Sequence, residues 1–170
     1  DVERLLPEDG RDLLRKLGVQ GADDQLDRVV SDWDGHALTL SLLGSYLKDH
    51  HAGDVSQIRN IPRPTADEPR YERIHRVLRR YDEHLQDAEK AFLMLFSAFR
   101  RPVEKDAFRI FRAKSKKQGM SLNDPIALLN EFQFEAMVQR LVNYRILRQL
   151  PRSNQYTTHP LIRAHYFTLL

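Results

Sequence analysis

The sequence predicts a mainly α-helical fold in two lobes, on three observations. Apolar residues recur at helical spacing through most of the chain, three prolines fall within eight residues near position 65, and the pattern turns strand-like close to residue 146. Together these predict an N-terminal helical bundle over residues 1–60, a proline-rich connector at 61–70, and a second lobe over 71–170 made of helices, a short β-hairpin and a closing helix.

A first helix is expected around Leu5, Leu6, Leu13, Leu14 and Leu17, with Pro7 in its first turn and Gly18 as its stop. Gly10 lies inside that segment and weakens it. The second helix begins near Ala22-Asp23-Asp24 and carries Leu26, Val29, Val30 and Trp33 on one stripe, until Asp34-Gly35 ends it. From His36 to Leu47 so few positions are polar that the segment should be surrounded by protein and form the centre of the first lobe. A short helix at Val55 to Arg59 precedes Pro62, Pro64 and Pro69, which lack amide hydrogens and restrict the residue before each.

The second lobe opens with Ile74, Val77, Leu78, Tyr81 and Leu85 at helical spacing and continues through Ala88, Ala91, Phe92, Leu95, Phe96 and Phe99. Arg101-Pro102 breaks the run, and Glu104 to Arg112 reads as a short helix with Phe108 and Phe111 inward. After a loop from Lys116 to Asn123, a further helix bears Phe134, Met137, Val138, Leu141 and Val142. Ile146 to Leu150 and Gln155 to Thr158 then form a hairpin about the turn Pro151-Arg152-Ser153-Asn154, and Pro160 starts a last helix with Leu161, Ile162, Tyr166 and Leu169. That order of elements is a winged-helix topology with the hairpin as its wing.

Composition narrows the chemistry. The 170 residues include no cysteine, which removes disulfides, thiolate ligands and cysteine nucleophiles and fits a reducing compartment, with cytoplasm as the expectation. No stretch approaches the roughly 20 apolar residues of a membrane helix, and Asp1-Val2-Glu3-Arg4 lacks a signal-peptide layout, so the chain is expected to start within a longer soluble protein. The 27 basic and 24 acidic residues are mixed, a weak argument for a polyanion partner. One basic run, Arg109, Arg112, Lys114, Lys116 and Lys117, reads as a solvated helix end and loop.

None of the seven glycines is followed by lysine, so the phosphate-wrapping loop of a P-loop hydrolase is missing. The seven histidines include no HExxH pair, and His50-His51 diverge on any regular element, so no metal site is expected. No nucleophile elbow supports acyl transfer either, and the chain by itself reads as no enzyme.

Two stretches carry more. The run Asp34-Gly35-His36-Ala37-Leu38-Thr39-Leu40-Ser41-Leu42-Leu43-Gly44-Ser45-Tyr46-Leu47 resembles the G-x-P-L-A-L…G-x-L helix of the STAND or NB-ARC signalling NTPases. Tyr156-Thr157-Thr158-His159-Pro160-Leu161-Ile162-Arg163 is similar to the M-H-D segment that closes their winged helix, in its H-P-L-I-R form. Here Ala37 stands where the family usually has proline, and Pro160 where it has aspartate.

The resemblance implies a helical lid followed by a winged helix, closing over ADP or ATP held by a P-loop domain of the same chain, with a C-terminal repeat sensor beyond and homo-oligomer assembly of the parent on activation. Nucleotide contacts would come from Gly35, His36 and Ala37 beside the base and from His159 on the diphosphate. The alternative is a winged-helix DNA binder whose Phe134 to Val142 helix presents Gln133, Glu135, Gln139, Arg140 and Asn143 to the major groove, with Glu131 and Glu135 opposing phosphate.

Overall fold

The computed structural model describes residues 4–113 and 119–170, and it is mainly helical with one small antiparallel sheet. Two compact units divide the chain, Asp1–Tyr81 and Asp82–Leu170.

In the first unit, α1 (Pro7–Lys16) starts with proline, carries Glu8 and Asp9 in its first turn and ends on Arg15 and Lys16, so its charges oppose the helix dipole at both ends. Gly10, a weak point by propensity, has a packing role. A Cβ there would stand 2.7 Å from both methyls of Val30, so glycine lets α1 press on α2 (Asp23–Asp32). Leu26, Val29 and Val30 of α2 and the following Trp33 are buried. The next helix, α3 (Ala37–His51), is buried at eight consecutive or near-consecutive positions from Thr39 to Leu47, as a central helix should be. A 3-10 turn at Val55–Asn60 follows, with Asp54 capping it through the amide of Ser56.

Helix α4 (Arg70–His84) buries Ile74, Val77, Leu78 and Tyr81. Up to Tyr81 its partners lie in the first unit: the Tyr81 hydroxyl donates to the carbonyl of Leu42 at 3.0 Å, its ring meets Tyr46 edge-on at 5.5 Å, and Arg80 donates to the carbonyl of Asn60 at 2.7 Å. Residues 71–81, assigned to the second lobe from the sequence, therefore group with the first, and the boundary between units falls in the last turn of α4. The prolines at 62, 64 and 69 lie within one compact unit, beside Ile61, which is itself buried.

The second unit contains α5 (Asp87–Ser97), β1 (Val103–Glu104), α6 (Arg109–Arg112), α7 (Asp124–Ala127), α8 (Glu131–Asn143), β2 (Arg148–Gln149), β3 (Gln155–Thr157) and α9 (Pro160–Phe167). The strand order is β1-β3-β2, all antiparallel, with Val103 opposite Tyr156 and Gln149 opposite Tyr156 on the other side. The hairpin appears where the strand-like pattern predicts it. Strand β1 is an addition, and it takes Glu104, the expected first residue of the Glu104 to Arg112 helix. Its two residues pair with β3 before the chain turns into a 3-10 segment at Lys105–Phe108.

An aromatic cluster fills this unit. The Phe92 ring lies 5.2 Å from Phe108 and 5.4 Å from Phe111, both edge-on, and Phe108 lies 5.2 Å from Tyr156 of β3. Ile162 and Tyr166 of α9 are buried, and His165 of the same helix pairs with Asp82, Nε2 to Oδ2 at 2.8 Å.

Candidate functional site

Gly35, His36 and Ala37 stand at the turn between α2 and α3. Asp34 and Gly35 both take left-handed backbone conformations, at φ 60° and 62°, which reverses the chain after Trp33. The space a Gly35 side chain would occupy is already filled: a Cβ would stand 2.6 Å from the carbonyl oxygen of Leu5. That approach is built by pairing, since the Leu5 amide donates to the Gly35 carbonyl at 2.8 Å and Arg4 bridges antiparallel to His36.

His36, only 3% exposed, precedes α3 and holds Thr39 Oγ1 at 2.7 Å through Nδ1. Of the three residues, Ala37 alone keeps partial exposure. The Asp34 carboxylate meets two guanidinium groups, that of Arg4 and that of buried Arg73, whose Nη1 is 3.2 Å from Oδ2. Both arginines were missed in the sequence, because they come from distant segments and nothing local marks them.

His159 stands at one turn of the second unit, between β3 and α9. Its Nδ1 accepts the Leu161 amide at 3.2 Å, so the imidazole caps the helix that Pro160 opens. An acceptor at Nδ1 places the proton of the neutral ring on Nε2. The side chain is half-buried.

Helix α8 is the element a DNA-binding reading requires. Asn130 and Gln133 cap one another across its first turn, amide to side chain, at 2.8 and 2.9 Å. Arg140, its only cation, is engaged internally: Nε donates to buried Glu89 at 2.5 Å and Nη2 to Gln86 at 3.4 Å. Glu131 is exposed, and Glu135 binds Lys105 at 2.7 Å, a hydrogen bond that holds the ammonium above its ordinary value. Phe132 stands out 81% exposed.

In the basic run, Arg112 stacks over Phe134 at 5.1 Å and donates to the Leu129 carbonyl, while Lys114, Lys116 and Lys117 lie outside the described residues. Among the described residues no three metal-capable side chains converge, and no helix is long and apolar enough to cross a membrane. Arg163 donates through Nη1 to the carbonyl of Arg100 at 3.5 Å and lines a hollow with it. The sequence signal for that feature is the adjacent pair Arg100-Arg101 directly after Phe99, overlapping Arg101-Pro102, which reads from sequence alone only as a helix break.

No protein-family model and no curated protein matches this chain.

Proposed function

We propose that the chain is the regulatory, nucleotide-sensing part of a STAND or NB-ARC-like ATP/ADP switch, the first unit serving as the helical lid and the second as a winged helix. The second unit's order supports the latter: helix, strand, helices, then a hairpin whose second strand lies beside the first strand, giving β1-β3-β2. Nucleotide would be held mainly by a P-loop domain elsewhere in the same protein, and this chain would report which nucleotide is bound by closing over ADP and releasing with ATP. A repeat sensor beyond it and self-assembly of the parent complete the reading.

The observation that carries the proposal is the imidazole of His159. Acceptance at Nδ1 leaves Nε2 as the donor nitrogen of the neutral ring, the state needed to donate to a diphosphate oxygen. On the lid side, Gly35 and His36 are committed to packing with Leu5 and Thr39, so Ala37 is the residue with surface to offer a base. DNA binding is the weaker reading, because the only cation on α8 is already bound to Glu89 and Gln86 and its outward acids repel phosphate.

The test uses the intact parent protein and the substitution His159→Asn. Asparagine is a good N-cap, so α9 stays capped while the imidazole is lost. ADP should dissociate at least about tenfold faster, the worth of a hydrogen bond to a charged group, with thermal unfolding unchanged. ADP retention equal to wild type would sink the proposal.

A further inference from the structure

The second unit carries a surface that the nucleotide reading does not use. At the C-terminal end of α5 and along α9 lie two hollows of about 560 and 210 Å³, whose walls share Ala98 and Arg100. The larger is walled by apolar groups, among them Val103 of β1, and Phe99 beside it is 40% exposed. The smaller is bordered by Phe167, 56% exposed. Apolar side chains gathered around a recess are the usual mark of a surface that another chain covers.

Charge says what kind of chain. Arg100 and Arg101 line the larger hollow, and Arg100 and Arg163 the smaller. Among the described residues no carboxylate pairs with any of the three; the bond from Arg163 goes to the backbone carbonyl of Arg100. The one acid in the walls, Glu104, accepts from the side-chain amide of Gln155 at 2.9 Å. Exposed Arg100 and Arg101 and half-buried Arg163 thus stand around the two adjoining hollows, in a chain whose net charge is only +3.

We propose that this surface docks an acidic peptide segment that carries a large apolar side chain. The apolar side chain fills the recess, and carboxylates on either side of it meet Arg100, Arg101 and Arg163, which match carboxylate geometry in pairs of bonds. A nucleic acid fits less well. Phosphates repeat at fixed spacing and call for a continuous basic track, whereas Arg100 and Arg101 flank an apolar hollow with Glu104 in its wall and Arg163 lines the smaller, more polar hollow beside it. The proposal does not rest on the nucleotide reading, and its test involves no nucleotide.

Fluorescence anisotropy with the full 170-residue chain and a labelled peptide of about twelve residues, Asp and Glu around a central Leu-Phe, tests it. Binding should saturate below about 1 mM and weaken at least about tenfold for Arg100→Glu with Arg163→Glu, and for a peptide with Ser-Ser at its centre. Arg101→Glu, at a side chain that makes no hydrogen bond or ion pair among the described residues, should weaken it about threefold and guards against misfolding of the double variant. The proposal is overturned by no saturation below that limit, by equal binding of the Ser-Ser peptide, by an unchanged affinity in both arginine variants, or by tighter binding of a charge-matched oligonucleotide.

Discussion

The two turns that carry the family resemblance are built to different standards. The Asp34-Gly35-His36 turn is held from every side: left-handed backbone at two positions, the Leu5 carbonyl against Gly35, a buried imidazole, and Asp34 between Arg4 and Arg73. The His159 turn is half-buried: the imidazole accepts the Leu161 amide, Thr158 Oγ1 donates to the Ile146 carbonyl at 2.7 Å, and Pro160 fixes φ. A glycine or histidine kept at the first turn is accounted for by packing alone. At the second, a helix cap explains why some acceptor stands there but not why it is an imidazole, since Ser, Asn or Asp cap better. The proposed function is accordingly placed at the second turn, where the residue type is not the best cap.

Three substitutions sharpen or break that contrast. The largest effect belongs to Gly35→Ala, which places a methyl against the Leu5 carbonyl in a left-handed backbone and should cost about 3 kcal/mol in urea unfolding. A loss below about 1 kcal/mol would mean the N-terminal segment yields easily and the turn is less constrained than described. Next comes Arg73→Ala, which leaves the Asp34 carboxylate to Arg4 alone and opens a cavity; a loss of about 2 kcal/mol is expected, discounted from a fully buried pair because Asp34 is partly exposed. In a double-mutant cycle with Asp34→Ala the two losses should fall short of adding, and strict additivity would show that the pair does not interact. The smallest is His159→Ala, about 1 kcal/mol with faster hydrogen exchange at the Leu161 amide, both restored by His159→Asn. Failure of asparagine to restore them would mean the imidazole does more for the fold than cap a helix.

Much of the architecture was legible because helical stripes are local. Leu26, Val29, Val30 and Trp33, or Phe134, Met137, Val138 and Leu141, announce their faces within a few turns. The hairpin was legible for the same reason, through Pro151 to Asn154 and the flanking alternation. What escaped depended on distant partners. Val103-Glu104 is a strand only because β3 lies beside it, and two residues carry no period. The division at Tyr81 escaped because prolines mark where a helix cannot run, not which side of them a later helix packs against; the Tyr81 hydroxyl on Leu42 decides that. Of the candidate nucleotide contacts, the sequence located both turns but not their occupants, since neither the Leu5 carbonyl at Gly35 nor the arginines at Asp34 leave a local trace.

The surroundings of His159 set a limit on how it can act. Three residues before it, Tyr156 is locked among the rings of the core, and three residues after it Ile162 of α9 is buried. A tether that short at both ends leaves the imidazole almost no travel of its own. In the proposed switch, a diphosphate would then be reached or abandoned by carrying the surrounding lobe along, so that a local bond here would be read out as displacement of an entire body.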